Sequence, residues 1–95
     1  MTDSPPVAPA VAYYGDDVTG SVDVLLQFAR HGVRGCLFIG TPSAAALADA
    51  AGSNEVVGIA GIARSLSPDA LDAEVRPALT ALRDLSPRIV QYKAC

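Results

Sequence analysis

The stretch VAYYGDDVTGSVDVLLQFARHG, residues 11–32, decides the fold of this chain. The apolar run at 11–14 predicts a buried strand, and residues 21–32 predict a helix that ends at a left-handed Gly32. The apolar residues of that helix recur at i, i+3, i+4 and i+7: Val22, Leu25, Leu26 and Ala29. Between the two elements lies a glycine-flanked acidic turn, GDDVTG at 15–20. A strand that turns directly into a helix is the building unit of α/β proteins.

The same alternation continues along the rest of the chain. The sequence predicts strands at 34–39, 55–61 and 88–93, an alanine-rich helix at 43–52, and a helix that starts at Ser67-Pro68-Asp69. Pro77 should kink or split that last helix. The predicted fold is α/β, with an open parallel sheet in β-α-β-α-β-α-β order and helices on both faces. No helix follows the last strand, so we expect the sheet to be incomplete at its C-terminal end; a complete four-stranded domain is the alternative.

Composition narrows the classes of function. The 95 residues are 51% hydrophobic but only 5% aromatic. The apolar residues are mainly alanine, valine and leucine, which is typical of helices packed on a parallel sheet. A net charge of −3 argues against nucleic acid, and no apolar run approaches the ~20 residues that span a membrane. Residues 1–10 read as a disordered leader without the positive start of a signal peptide. Cys36 and Cys95 have no metal-binding spacing, so we expect a cytoplasmic protein with reduced thiols.

Three segments carry polar side chains to the C-terminal edge of the predicted sheet, where ligands of open α/β sheets bind. They are the acidic turn and helix start at 16–21, the loop at 61–67, and Lys93. An arginine such as Arg64 can hold a carboxylate through two parallel hydrogen bonds, and Lys93 adds a point charge. Asp16 and Asp17 can accept a proton or a hydrogen bond from a hydroxyl. This combination suits a small polyhydroxy acid.

Each of these residues also has a purely structural explanation. Asp16 or Asp17 could stabilise the turn, and Thr19 or Ser21 could be the N-cap of the first helix. Arg64 could be a solvated loop cation, and Lys93 a charge at the end of an exposed strand. Their location at one edge of the sheet favours the functional interpretation for Asp17 and Arg64.

Other families that use an acidic turn fit poorly. Val18 stands where the haloacid dehalogenase signature needs its second aspartate. A response-regulator receiver needs a phosphoacceptor aspartate where this chain has Ala60 and Gly61, and there is no Walker lysine motif.

Three strings, in this order, resemble the start of the four-carbon acid sugar kinase family: GDDVTGSVDVLLQFARHGVRGCLFIG, EVVGIAGIARSLSP and RIVQYKAC. Members of that family open with a strand, an Asp-Asp-x-Thr-Gly turn and a helix with a further aspartate, here Asp23. The resemblance covers roughly residues 11–95. The ending Tyr-Lys-x-Cys is similar to the corresponding motif of the family branch that acts on 3-oxo-isoapionate-like acids.

The resemblance implies the N-terminal part, residues 11–95, of the substrate-binding domain of an ATP-dependent kinase that phosphorylates a hydroxyl of a small sugar acid. It implies Asp17 as the catalytic residue and six substrate-binding residues: Asp16, Thr19, Gly20, Asp23, Arg64 and Lys93. ATP and Mg²⁺ would act in the full-length parent, whose C-terminal ATP-binding domain is absent here. Neither is therefore expected to bind this chain tightly, and the chain alone should be inactive. Ile62 and Ala63 stand where relatives tend to have hydroxyl residues. A stand-alone sugar-acid-binding module or a non-functional remnant is the alternative.

Overall fold

A computed structural model gives the structure of residues 8–94. These residues form four strands, β1 (Val11–Gly15), β2 (Gly35–Ile39), β3 (Val56–Ala60) and β4 (Ile89–Lys93). Three α-helices connect them, α1 (Val18–Arg30), α2 (Ala44–Ala51) and α3 (Pro68–Arg83), and a short 3₁₀ helix (Ala63–Ser65) precedes α3. The predicted α/β class is therefore confirmed, and the structure adds a 3₁₀ helix that the sequence did not predict. Of the predicted leader, residues 1–7 lie outside the described part, whereas Pro9 is fully buried and the Ala10 amide donates to Glu55 O.

The strands form one parallel sheet in the order β2-β3-β1-β4. Tyr13 and Gly35 share one face of it, and both meet α1: the Tyr13 hydroxyl donates to Ser21 O, and the Leu25 side chain lies against Gly35. Tyr14 points to the opposite face, where its hydroxyl donates to Glu74 of α3. The main core lies on that second face, between the sheet and the pair α2 and α3: Ala12, Tyr14, Leu47, Ala51, Val57, Ile59, Ala63, Ala78 and Leu82. Helices thus cover both faces, as predicted.

Helix α1 differs from its prediction in its start and in its buried face. It begins at Val18 rather than Ser21, because Asp17 is the N-cap and its Oδ1 accepts from the Gly20 amide at 2.7 Å. Thr19 and Ser21 therefore lie inside the helix and do not cap it. Ser21 is fully buried, whereas Val22 and Leu26 of the predicted apolar face are 37% and 51% exposed. The Tyr13 hydroxyl needs a buried acceptor, and turning Ser21 toward the sheet supplies one.

Helix α3 runs through Pro77 without interruption, so the predicted split is wrong. Pro77 is exposed, which leaves water to solvate the carbonyl whose hydrogen bond the proline removes. Beyond it, Ala78 and Leu82 are completely buried in the core. Their packing stabilises the helix on the C-terminal side of the proline. The predicted start is confirmed, with Ser67 at the N-cap position and Pro68 in the first turn, but the Ser67 side chain makes no capping hydrogen bond to α3.

Candidate active site

Three chain segments meet at the C-terminal edge of the sheet, and backbone hydrogen bonds hold them together. The Gly61 amide donates to Gly15 O (2.9 Å), and the Arg64 amide donates to Asp16 O (3.1 Å). On the other side of β1, the Asp16 amide donates to Lys93 O (3.1 Å). The acidic turn therefore lies between the loop after β3 and the end of β4.

Asp17 and Arg64 form an ion pair at this edge. Arg64 Nη1 donates to Asp17 Oδ2 at 2.8 Å, and the two residues are 47 positions apart in the sequence. The other carboxylate oxygen of Asp17 accepts from the Gly20 amide at 2.7 Å. The side chains of Arg64 and Asp17 are 58% and 29% exposed, so both remain accessible to a ligand. One carboxylate and one guanidinium thus present oriented opposite charges to solvent.

The structure does not bring all of the predicted site residues to this pair. Asp16 is buried and contributes the backbone bonds that join the segments, and Gly20 contributes its amide to Asp17. Thr19 and Asp23 are exposed on α1. Lys93 is also exposed, and its side chain forms no ion pair within residues 8–94. The assembled part is therefore Asp16, Asp17, Gly20 and Arg64.

A second polar contact, which the sequence did not indicate, supports the loop after β3. The Tyr14 hydroxyl donates to Glu74 Oε2 at 2.8 Å, and the Ile62 amide approaches the same oxygen at 3.4 Å. Burial raises the pKa of Tyr14, and the hydrogen bond to Glu74 raises it further, so the phenol remains protonated and donates. Its ring also stacks on Tyr92 of β4, with centroids 5.5 Å apart. Tyr14 and Glu74 are 60 positions apart, and no local spacing links them.

The described residues contain neither a grouped metal site nor a membrane-spanning helix. Within residues 8–94, no three His, Cys, Asp or Glu side chains are grouped as a metal site requires. No helix in that part of the chain is long and apolar enough to cross a bilayer.

Comparison with known proteins adds to this geometry. The family described as the sugar-binding N-terminal domain matches residues 11–95. A 3-oxo-isoapionate kinase from Paraburkholderia graminis is 37% identical over 90 residues, which make up 95% of this chain and 19% of that protein. The chain therefore spans about a fifth of the length of this curated relative. No solved structure matches. The resemblance carried by the three sequence strings is confirmed.

Proposed function

This chain belongs to the sugar-binding N-terminal domain family, and from that premise we propose that its Asp17–Arg64 edge binds a small sugar acid, which a longer kinase phosphorylates on a hydroxyl. The observation that carries the proposal is the 2.8 Å ion pair between Asp17 and Arg64 at the carboxyl ends of the strands. Ligands of open parallel sheets bind at this edge. The relative named as a 3-oxo-isoapionate kinase supports a carbohydrate acid of four carbons or a related one.

Arg64 is the proposed anchor for the substrate carboxylate. Its Nη1 is engaged with Asp17, but a guanidinium has five N–H donors in a planar fork. The remaining donors can hold a carboxylate while the bond to Asp17 fixes the plane of the group. The exposed Lys93, at the end of the neighbouring segment, adds positive charge on the other side of the acidic turn.

Asp17 is the proposed partner of the hydroxyl that is phosphorylated. Each of its carboxylate oxygens already accepts one N–H bond, from Gly20 and from Arg64. Those two bonds orient the carboxylate at the edge where ligands of open sheets bind, so that it can accept from a sugar hydroxyl. It would orient that hydroxyl and take its proton, with Asp16 as support. Thr19, Gly20 and Asp23 complete the proposed substrate-binding set.

ATP and Mg²⁺ belong to the proposed activity of the longer protein. Residues 8–94 contain neither a glycine-rich phosphate loop nor a group of three metal-binding side chains, so we expect them not to hold the nucleotide. Their role is to bind and orient the acceptor. A second domain of the longer protein would supply the nucleotide, in the cytoplasm, and the chain alone would not phosphorylate its ligand.

Isothermal titration of the chain with D-erythronate, a four-carbon sugar acid, tests the proposal. Arg64→Ala should weaken binding by about 10- to 100-fold, the effect of losing a hydrogen bond to a charged group. Arg76→Ala is the matched control, because Arg76 forms an ion pair of equal length with Asp72 on the exposed surface of α3. Erythritol, which lacks the carboxylate, should not bind. Equal affinities of the two arginine variants for erythronate would contradict the proposed site.

A further inference from the structure

Between the core and the Asp17–Arg64 pair lies a small polar contact made by Tyr14, Glu74 and the backbone at 61–62. Tyr14 is fully buried, and its hydroxyl donates to Glu74 Oε2 at 2.8 Å. The same oxygen faces the Ile62 amide at 3.4 Å. One carboxylate oxygen from α3 thus faces both a core side chain and the loop that contains Arg64.

Gly61 shows how closely this contact supports the loop. Its backbone lies directly against the Tyr14 hydroxyl and the Glu74 carboxylate, so that a Cβ at this position would overlap both. Its amide donates to Gly15 O at 2.9 Å. The start of the loop is therefore held between β1 on one side and the Tyr14–Glu74 pair on the other.

The remaining bonds of the loop lead to Arg64. The Ser65 hydroxyl donates to Ile62 O at 3.0 Å and closes the turn around the arginine. The Arg64 amide donates to Asp16 O at 3.1 Å, and the guanidinium reaches Asp17 at 2.8 Å. Because Arg64 itself is largely exposed, its orientation depends on the bond to Asp17 and on the backbone that carries the side chain. From outside the loop and the acidic turn, Glu74 supports this backbone at Ile62, and Tyr14 supports it at Gly61.

We propose that Tyr14 and Glu74 are positioning residues for the sugar-acid site, which fix the backbone of residues 61–65 so that Arg64 meets Asp17 and a substrate carboxylate in one orientation. The inference rests on the proposed function for the identity of the ligand. The geometry of the loop does not depend on that function. Neither residue touches the substrate. Their effect passes through the Ile62 amide and the closely packed Gly61.

Three variants and a control separate positioning from general stability. Glu74→Ala removes the acceptor. Glu74→Gln keeps a carbonyl oxygen for both donors, and Tyr14→Phe removes one donor while keeping the ring that stacks on Tyr92. Asp72→Ala is the control, because it deletes an exposed carboxylate of the same helix whose partner is Arg76.

The first readout needs no ligand: the ¹H–¹⁵N resonances of the Arg64 guanidinium, recorded where each variant is folded. We expect them to be resolved in the wild type, Glu74→Gln and Asp72→Ala, and averaged in Glu74→Ala and Tyr14→Phe. The second readout is the affinity for D-erythronate. The affinity should fall about tenfold in Glu74→Ala, because loosening the charged hydrogen bond of Arg64 should cost part of what its removal costs. The affinity should recover in Glu74→Gln.

The two readouts also distinguish the failure of this inference from the failure of the proposed function. If Glu74→Ala keeps both resolved Arg64 resonances and wild-type affinity, the positioning role is wrong even though the sugar-acid site stands. If the wild type does not bind erythronate but the Arg64 guanidinium resonances still depend on Glu74, the positioning role stands and the proposed ligand is wrong. A lower melting temperature with unchanged Arg64 resonances would show a merely structural role and overturn the inference.

Discussion

At the scale of single residues, Asp17 shows that the structural and the functional interpretations of an acidic turn are compatible. One of its oxygens caps α1 through the Gly20 amide, and the other holds Arg64. The cap orients the carboxylate, and the ion pair aligns the guanidinium beside it. Since the two tasks use different oxygens, substitutions can separate them.

Asp17→Asn and Asp17→Ala should therefore differ in stability but not in binding. Asparagine is as good an N-cap as aspartate, whereas alanine costs about 1 kcal/mol of stability. The ion pair adds little, because Arg64 is 58% exposed and solvent screens the pair. Urea denaturation should give a free energy of unfolding near wild type for Asn and about 1 kcal/mol lower for Ala. Both should lose affinity for erythronate; equal destabilisation by Asn and Ala would contradict the capping role.

Tyr13 gives a prediction for alkaline pH. Burial raises the pKa of Tyr13 from 10.0 to about 12. The unfolded chain releases this proton near pH 10 and the folded chain only near pH 12, so the contribution to stability is complete below pH 10 and is lost as the pH rises to 12. The full loss is on the order of 2–3 kcal/mol. Urea denaturation from pH 9 upward should show a steeper decline for wild type than for Tyr13→Phe, and parallel curves would refute the shift.

The sequence predicts part of the site for a clear physical reason. The carboxyl ends of parallel strands lie at one edge, so residues that follow β1 and β3 must be neighbours, and the structure places Asp17 and Arg64 in contact there. Tyr14 and Glu74 could not be found in this way. A tyrosine in an apolar strand and a glutamate on a helix are ordinary residues, and their contact arises only when α3 packs on the sheet.

At the scale of elements, the strands were easier to predict than the helices. Short apolar runs between turn residues predict β1 to β4 to within one or two residues. The apolar pattern of α1 predicts its inward face only in part: Leu25 packs on Gly35, whereas Val22 and Leu26 are exposed and Ser21 is buried. The break predicted at Pro77 considers only the local cost of a proline in a helix. The burial of Ala78 and Leu82 in the core offsets that cost.

Pro77→Ala should stabilise the protein. Alanine restores the missing amide and removes the clash with the preceding turn, which together are worth up to about 3 kcal/mol in a helix interior. We expect a gain of about 1–3 kcal/mol in the free energy of unfolding in urea. Thr80→Ala, also exposed on α3, is the control and should gain only about 0.5 kcal/mol. No gain for Pro77→Ala beyond that control would mean that α3 has already relaxed around the proline.

At the scale of the whole molecule, β4 is the least covered element. All five of its residues are exposed, among them Ile89 at 55%, Val90 at 40% and Tyr92 at 42%. Val90 and Tyr92 line an apolar depression of about 580 Å³ against α3. An exposed apolar edge strand is a template for pairing with another chain. We therefore propose that further polypeptide of a longer protein covers this edge.

The chain by itself should associate through β4. Sedimentation over a range of concentrations should show reversible self-association, and Ile89→Lys should suppress it because an edge lysine opposes strand pairing. Leu26→Lys is the control, since Leu26 is a similarly exposed apolar residue on α1, 51% exposed. A monomer at all concentrations, or equal suppression by both lysines, would show that β4 is not the associating edge.

An NMR titration of the ¹⁵N-labelled chain with D-erythronate would locate the sugar-acid site directly. We expect amide shifts to change at residues 15–20 and 61–65, at the carboxyl edge of the sheet. The chain contains its own control, because Arg34 and Arg88 line a polar depression at the opposite edge, where the strands begin. Shift changes centred on those two arginines, or none anywhere at millimolar erythronate, would contradict the assignment of the Asp17–Arg64 edge as the sugar-acid site.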